Sequence, residues 1–401
     1  MNLIFTGALA LALTACGPPA PDTSLVISSD PELRNRVGEL LPILADKAGM
    51  SLDHPIRAER RSREELEGYL IYKLDQELSP TEARARTRSY HLLGMVEEEF
   101  DLRNVLLSVY TEQVAGFYDP DSTALFVLDD MPVEMLETVL VHELVHAVQD
   151  QTANLDSLTA PERGNDRQVA AQSAIEGHAT LIMLEYMAEE LQGRPLDLSQ
   201  LPDFSQTIRP ALEAMREQYP ALASAPAIIQ ESLLFPYIEG ASFLAARWQG
   251  VEGRPPPFGD HLPQSTEQIL NPDRAPGMNE DPPTDVTLVA GNGYTATYGN
   301  TLGQLEVGIF LDELLGTGNR ELAQGWDGDA FLLLEGPGGS EGLYWVSVWD
   351  SRAQRDRFFE ALQEGLESFP LPATVRVGDA LGLPSVTLEL GSARGAPVRI
   401  E

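Results

Sequence analysis

The sequence has 401 residues, of which 62 are Asp or Glu and 27 are Lys or Arg, so the formal net charge at pH 7 is −35. Because 43% of the residues are hydrophobic, the chain can build a sizeable core, which excludes the disordered and collagen-like classes. A protein this negative is repelled by phosphate backbones, so nucleic acid is excluded as a partner.

The first element is an uncharged, apolar segment at the N-terminus. Residues 1–15 contain no charged side chain, and they lead into the sequence LTAC at residues 13–16. The segment is shorter than the roughly 20 apolar residues that span a bilayer, so it predicts a signal peptide rather than a membrane helix. LTAC resembles the bacterial lipobox, which implies that Cys16 is the lipidated first residue of an exported protein. The alternative is an ordinary free cysteine beside a secretory cleavage site.

Prolines follow this cysteine closely, and residues 16–30 are predicted to be a Pro-rich tether. Gly17 directly after Cys16 resembles the outer-membrane sorting pattern. The implied location is therefore the cell envelope, at the outer membrane if the organism is Gram-negative. A membrane, reached through the lipid anchor, is one expected partner.

The next elements are predicted from the spacing of apolar residues. Residues 31–110 carry them at three- and four-residue intervals, which indicates helices. A turn signal at residues 117–121 and a β-prone run at residues 123–128 predict a strand. Residues 131–151 predict a long helix. Its apolar stripe is formed by Leu136, Leu140, Leu144 and Val148.

Two further helices complete this part of the chain. The first is predicted to begin at a cap formed by Asn165 or Asp166 and to end near Leu191. The second covers residues 230–248. Residues 31–253 are therefore predicted to form one α+β domain, mostly helical with a small sheet.

An H-E-x-x-H motif, formed by His142, Glu143 and His146, lies on the predicted 131–151 helix. Residues at i and i+4 share a helix face, so both imidazoles can bind one Zn²⁺ at about 2.0–2.1 Å. Such an ion lowers the pKa of water, and Glu143 can take the proton as that water attacks a carbonyl. The motif therefore predicts zinc-dependent hydrolysis with Glu143 as the general base. The alternatives are a histidine pair packed against acidic neighbours and a structural zinc, which normally needs four Cys or His ligands.

A catalytic zinc needs a third protein ligand. The metzincin extension would place Gly and His where this chain has Gln149 and Thr152, so that class is excluded. The candidates lie on the following helix and are Asp166, Glu176, His178 and Glu185. Glu176 is favoured, because small neighbours such as Gly177 let its helix approach the histidine-bearing helix closely. His178 points about 200° away from Glu176 on a helix, so the two cannot share one metal.

The two motifs together, H-E-x-x-H and E-G-H-A at residues 176–179, resemble the gluzincins, most closely the peptidase MA-like families that carry E-G-x-A. They also resemble a group of bacterial predicted metallopeptidases with no assigned substrate. In that superfamily the second-motif glutamate is the third zinc ligand, which implies this role for Glu176. The resemblance further implies a zincin-like fold, with residues 117–128 as an edge strand that pairs with an extended peptide substrate. Thermolysin-like members carry Asp where this chain has Thr180, which leaves Asp150 as a candidate partner of the histidines.

The oxyanion formed during hydrolysis needs a hydrogen-bond donor besides zinc. Tyr237 is one candidate, because residues 235–243 resemble the Tyr-containing helix start that follows the second zinc motif in such proteins. His261 is the other, because the chain has only 6 histidines and this one falls in a predicted loop. The simpler alternatives are a core aromatic residue for Tyr237 and a solvated loop residue for His261.

The C-terminal part of the chain is predicted to be a separate unit. Residues 254–285 are rich in proline and poor in apolar residues, which predicts a surface loop and domain junction. Residues 286–401 alternate β-prone runs with helical segments and predict a small α+β domain. The sequence GWDGD at residues 325–329 has two aspartates, too few for a calcium loop, so a turn is favoured.

Two functions from different classes fit these features. The favoured one is a lipid-anchored zinc metallopeptidase that acts on peptide or protein substrates. The alternative is a non-catalytic zinc-containing lipoprotein that binds a partner or serves as a scaffold at the cell envelope. No oligomeric state follows from the sequence.

Overall fold

The structure is a computed structural model, and it describes residues 23–401 apart from residues 202–203, 205, 208, 211–218 and 252. The predicted signal peptide and the lipidation of Cys16 lie outside the described residues. Within the described part of the chain, no helix is both long and apolar enough to cross a membrane. Helices and small sheets are both present, which agrees with the predicted α+β class.

The elements are as follows in chain order. The helices are α1 (Pro31–Ala48), α2 (Arg63–Glu77), α3 (Pro80–Leu92), α4 (Leu102–Gln113), α5 (Val133–Ala153), α6 (Leu155–Leu158), α7 (Asn165–Gln192), α8 (Pro220–Ser224), α9 (Ala227–Trp248), α10 (Thr266–Leu270), α11 (Gly303–Leu315) and α12 (Arg352–Glu364). The strands are β1 (Val26–Ile27), β2 (Ile56–Arg61), β3 (Gly116–Asp119), β4 (Ala124–Leu128), β5 (Leu288–Ala290), β6 (Thr295–Asn300), β7 (Trp326–Gly336), β8 (Ser340–Trp349), β9 (Ala373–Ala380), β10 (Leu383–Gly391) and β11 (Val398–Ile400).

A four-stranded sheet in the order β1-β2-β4-β3 lies beside α5. Strands β1, β2 and β4 are parallel, and β3 runs antiparallel along the edge. The residues of β4 are all buried, and α5 begins shortly after this strand ends. In α5, Leu140, Leu144 and Val148 are fully buried, so the predicted apolar stripe is confirmed for these positions. The buried stripe fixes which face of α5 turns away from the core.

Two sequence predictions for this region were wrong. Residues 56–61 were predicted to be helical but form β2, in which the buried Ile56 and Ala58 alternate with the exposed Arg57. Arginine-rich runs are typical of helix surfaces, yet here the chain pairs in parallel with β4, and the last three residues of β2 are all partly buried. Val26 of β1 pairs with Ile56 of β2. The packed region therefore begins within the predicted 16–30 tether rather than at residue 31.

Helices α7 and α9 approach each other at a pair of glycines. A Cβ atom on Gly177 would lie 2.1 Å from the carbonyl carbon of Gly240, and one on Gly240 would lie 2.2 Å from the carbonyl oxygen of Ser173. Gly177 was predicted to let its helix approach the histidine-bearing helix, but its open side faces α9 instead. The helix that carries Glu176 is therefore held against the helix that carries Tyr237.

We expect Gly177→Ala to destabilise the protein by about 1–3 kcal/mol, because the new methyl group meets backbone atoms that cannot move aside without shifting α9. Chemical denaturation of the variant and the wild type measures this difference. The matched control is Gly68→Ala in α2, where an added Cβ meets no heavy atom within 4 Å. Alanine there should stabilise the helix by about 0.5–1 kcal/mol. Equal stability of the two variants would contradict the close contact of α7 and α9.

The start of α7 is capped from a distant part of the chain. The N-cap residue is Gly164, which provides no side chain, rather than the predicted Asn165 or Asp166. Instead, Oδ1 of Asn300 accepts from the backbone N–H of Asn165 at 2.9 Å, and Oγ1 of Thr301 accepts from that of Asp166 at 3.3 Å. The C-terminal unit thus satisfies N–H groups that the first turn of a helix leaves without partners.

Residues 254–285 form the predicted surface loop only in part. They contain α10, whose residues Thr266, Gln268 and Ile269 are buried. Asp166 accepts hydrogen bonds from both the backbone N–H and the hydroxyl of Thr266, which ties this segment to α7. Buried hydrogen bonds, as well as apolar contacts, therefore hold in place a segment that is poor in apolar residues.

The C-terminal unit is built on a five-stranded antiparallel sheet in the order β6-β7-β8-β10-β9. Asp329, at the start of β7, accepts hydrogen bonds from the backbone N–H groups of Leu302 and Gly303 and from the indoles of Trp326 and Trp345. The favoured turn at residues 325–329 is therefore the beginning of a strand, and Asp329 caps α11. Apolar residues of this unit such as Phe331 and Trp345 belong to one continuous core with the preceding helices, and others such as Tyr344 form a separate small cluster.

Candidate metal centre

Two helices bring three metal-binding side chains together. His142 and His146 lie one turn apart on α5, and Glu176 lies on α7. Nε2 of His142 is 3.1 Å from Oε2 of Glu176, and Nε2 of His146 is 3.3 Å from the same oxygen. The two Nε2 atoms are 3.1 Å apart. This set of two imidazoles and one carboxylate could hold a metal ion, and its members are the three predicted ligands.

The electrostatics of the group also fit a bound cation. Burial alone would raise the pKa of Glu176, but the adjacent imidazoles of His146 and His142 hold it well below its usual range. Burial would lower the pKa of His146, but the carboxylates of Glu176 and Glu143 raise it to about 9. The cluster thus favours positive charge at the point where the donor atoms converge, and a metal ion would replace the proton there.

Two glutamines orient the ligands, and sequence reasoning identified neither of them in this role. Oε1 of Gln149 lies 2.9 Å from Nδ1 of His146, and Nε2 of Gln172 donates to Oε1 of Glu176 at 2.9 Å. Each glutamine lies about one turn from its ligand on the same helix. That spacing is visible in the sequence, but an uncharged amide is not singled out by a search for titratable groups.

The histidine partner proposed from the family resemblance was wrong. Asp150 accepts from the hydroxyl of Tyr118 at 2.9 Å and from the backbone N–H of Leu155 at 3.0 Å, and it contacts neither histidine. Thr180 is buried, and its hydroxyl has no hydrogen-bond partner in the described part of the chain. Gln149 takes the orienting role for His146.

Glu143 lies beside the metal-binding group without belonging to it. Its Oε2 accepts a hydrogen bond of 2.8 Å from the backbone N–H of Tyr118 in the edge strand β3. Burial raises the pKa of Glu143, and the charge of Glu176 adds to this, whereas the imidazoles and the Tyr118 N–H oppose it. The carboxylate is therefore fixed between the edge strand and the metal-binding group.

Tyr237 borders the same site from α9. Its ring stacks on that of His142 with a centroid distance of 6.0 Å. The surrounding protein desolvates the phenol, and the carboxylates of Glu176 and Glu143 add negative charge, so the pKa of Tyr237 lies well above its usual value. The residue keeps 37% of its surface exposed, so part of Tyr237 is accessible to solvent beside His142.

The remaining predicted candidates lie elsewhere. His261 is exposed in a short 3-10 turn, and no contact among the described residues joins it to the metal-binding group. Glu185 accepts from Arg254 through both oxygens, at 2.7 Å each. Asp166 binds Thr266, as described above. His261 was chosen because the chain has few histidines. The rarity of a residue type does not indicate which of its members lie close together in the fold.

A second group of carboxylates, formed by Asp281, Asp327 and Asp350, also has oxygens close together. The guanidinium of Arg274 already lies among them, 2.9 Å from Asp281 and 2.8 Å from Asp350. These residues form an ion-pair network that joins the 254–285 segment to the C-terminal sheet.

Comparison with known proteins identifies one family. Residues 293–387 match a domain of unknown function (DUF8575). This region contains the elements from β6 to β9, and none of the metal-binding residues lies in it. No curated protein and no solved structure matches the chain. The function therefore has to be inferred from the site itself.

Proposed function

We propose that this protein is a zinc metallopeptidase of gluzincin type, in which His142, His146 and Glu176 hold the metal. The observation that carries the proposal is the convergence of these three side chains beside a separate, fixed carboxylate, Glu143. The donor set of two imidazole nitrogens and one carboxylate oxygen is the kind that catalytic zinc sites use, with a further position left for water or substrate.

Each residue of the site has a role in this reaction. Bound zinc would act as a Lewis acid that polarises the scissile carbonyl and lowers the pKa of water. Glu143 accepts the proton of the attacking water and then transfers it to the leaving amine. The hydroxyl of Tyr237 donates a hydrogen bond to the oxyanion. These assignments keep the base and the metal ligands on different side chains.

The edge strand supports a peptide as substrate. Leu128 of β4 donates to the carbonyl of Ala115, which directly precedes β3, and the register pairs Phe117 of β3 with Phe126 of β4. In an antiparallel ladder alternate residues face the partner strand, so the backbone groups of Gly116 and Tyr118 face the free edge. The Tyr118 N–H binds Glu143, which leaves the Gly116 groups and the Tyr118 carbonyl for an extended peptide. The general base lies at this same edge.

The architecture is proposed to be zincin-like, with the mixed sheet above the metal-bearing helix α5 and with α7 supplying the third ligand. The protein is proposed to be exported and anchored to a cell-envelope membrane through lipid on Cys16. The anchor would hold the catalyst at the membrane while its charge of −35 keeps it away from anionic lipid headgroups.

A chelator experiment tests the proposal. The full chain, purified in detergent, is incubated with unfolded casein, and cleavage is followed by mass spectrometry. We expect cleavage by the wild-type protein, loss of cleavage after dialysis against a chelator, and recovery on addition of about one equivalent of Zn²⁺. Intact casein in the presence of folded, zinc-loaded protein would instead favour the non-catalytic zinc lipoprotein.

A further inference from the structure

Gln149 connects two histidines that lie on different helices. Its Oε1 lies 2.9 Å from Nδ1 of His146. Its Nε2 lies 3.0 Å from both the carbonyl oxygen of Ile175 and Nδ1 of His178. Both Gln149 and His178 have no exposed surface, so solvent does not compete for these contacts.

The chemistry of the partners fixes the direction of each hydrogen bond. A backbone carbonyl can only accept, so the end of Gln149 that faces Ile175 is the NH₂ group. Its second N–H points at Nδ1 of His178, which must therefore accept. The amide oxygen is left facing His146 and accepts from Nδ1–H. His146 thus carries a proton on Nδ1, which leaves Nε2, the nitrogen next to Glu176, as the atom that can bind a metal ion.

We propose that His178 and Gln149 form a hydrogen-bond relay that sets the tautomer of His146 and thereby the metal affinity of the site. This inference rests on the metal centre of the proposed function. His178 is a positioning residue, because it acts through Gln149 and does not reach the metal-binding group. If the amide flipped, its NH₂ would face His146, and the proton of His146 would move to Nε2, the atom needed as a ligand.

The surroundings of His178 favour this role over a packing role. Its ring lies edge-on to Trp248 and Phe258, with centroid distances of 5.5 and 5.8 Å. Its Nε2 is buried and has no hydrogen-bond partner among the described residues. An unpartnered buried polar atom is destabilising, and leucine would fill this apolar space without one. Histidine provides a hydrogen-bond acceptor at Nδ1, which leucine lacks.

Three variants of the full chain test the relay. His178→Leu is apolar and lacks the acceptor. His178→Asn is smaller, but its Oδ1 can accept from Gln149 near the position of Nδ1. Gln149→Leu removes all three hydrogen bonds of the amide. For each variant, Zn²⁺ affinity is measured by competition with a chromophoric chelator, together with the visible absorption of the Co²⁺ form and the thermal stability of the metal-free form.

We expect His178→Leu and Gln149→Leu to lower Zn²⁺ affinity by about 10–100-fold, and His178→Asn to remain within about threefold of the wild type. The Co²⁺ absorption should change in the two leucine variants only. His178→Asn leaves a cavity, so its metal-free form should be less stable than that of His178→Leu. If His178→Asn binds zinc more tightly than His178→Leu but is the less stable of the two, His178 acts by positioning Gln149 rather than by packing.

Wild-type zinc affinity in His178→Leu would overturn the relay, and so would an equal loss of affinity in His178→Asn. A wild-type protein that binds no Zn²⁺ would overturn the relay together with the metal centre. Affinities in the expected order without any peptide cleavage would support the relay and contradict the peptidase function alone.

Discussion

Replacement of Glu143 by glutamine is expected to lower the rate of peptide hydrolysis by about 10²–10⁴-fold while zinc stays bound. Glu143 is not one of the three residues whose donor atoms converge, so its loss removes no ligand. Glutamine has nearly the same shape, and its Oε1 can still accept the 2.8 Å hydrogen bond from the Tyr118 N–H. An amide cannot take up a proton at neutral pH, so the variant should lose only the proton-transfer step of the reaction.

The measurement compares kcat/KM for a peptide substrate with the zinc content of the same samples. Glu67→Gln, the same substitution at an exposed position of α2, is the matched control and should behave like the wild type. Undiminished cleavage by the Glu143 variant would show that another group is the base. Loss of zinc from that variant would show that Glu143 is a ligand.

The predictability of this site depends on how locally its parts are encoded. His142 and His146 are four residues apart on one helix, so helix geometry alone brings them together. Glu143 lies between them on the same helix, so its distance from both histidines is also fixed by helix geometry. These three positions could be predicted from the sequence because no contact with another element was needed to place them.

Glu176 is a different case, since 34 residues separate it from His142. Helix periodicity could place it on α7 but could not show which face of α7 meets α5. Its selection depended on the type of ligand that zinc requires and on the family resemblance. The same reasoning misjudged Gly177, whose open side meets Gly240 of α9 rather than the histidine-bearing helix.

The errors in the fold prediction concern contacts between distant residues. Strand β2 is stable because Ile56 and its neighbours pair with β1 and β4, and this pairing cannot be read from the Arg-rich run itself. Residues 254–285 lack the apolar residues that usually mark a buried segment, yet Asp166, 100 residues away from Thr266, fixes α10 by hydrogen bonds. Asn300 caps α7 in the same way, across 135 residues.

These distant contacts also connect the C-terminal unit to α7, the helix that carries the third metal ligand. The N–H groups at the start of α7 are bound by Asn300 and Thr301, and α7 carries both Gln172 and Glu176. The third ligand is therefore positioned by a helix whose first turn depends on the C-terminal unit. The family match to residues 293–387 begins just before these capping residues.

The second large effect is expected from Glu176→Ala, which should lower zinc affinity by more than the roughly 10–100-fold that loss of an orienting side chain costs. The substitution removes the only carboxylate of the group and leaves two imidazoles 3.1 Å apart at Nε2. Gln172 also loses the oxygen to which it donates. Zinc content after gel filtration and affinity by chelator competition measure the loss.

The charge and the geometry of this ligand can be separated with a second variant. Glu176→Gln keeps the size of the side chain and an oxygen, but not the negative charge that holds the pKa of His146 at about 9. If charge dominates, the glutamine and alanine variants should bind zinc equally poorly, since a neutral carbonyl oxygen is a weak substitute for a carboxylate. Glu190→Ala, at an exposed position of the same helix, controls for general effects on α7 and should retain full zinc affinity.

Full zinc binding by Glu176→Ala would contradict the assigned ligand set, because no other carboxylate joins the two histidines among the described residues. The metal would then have to be held by the histidines and solvent alone.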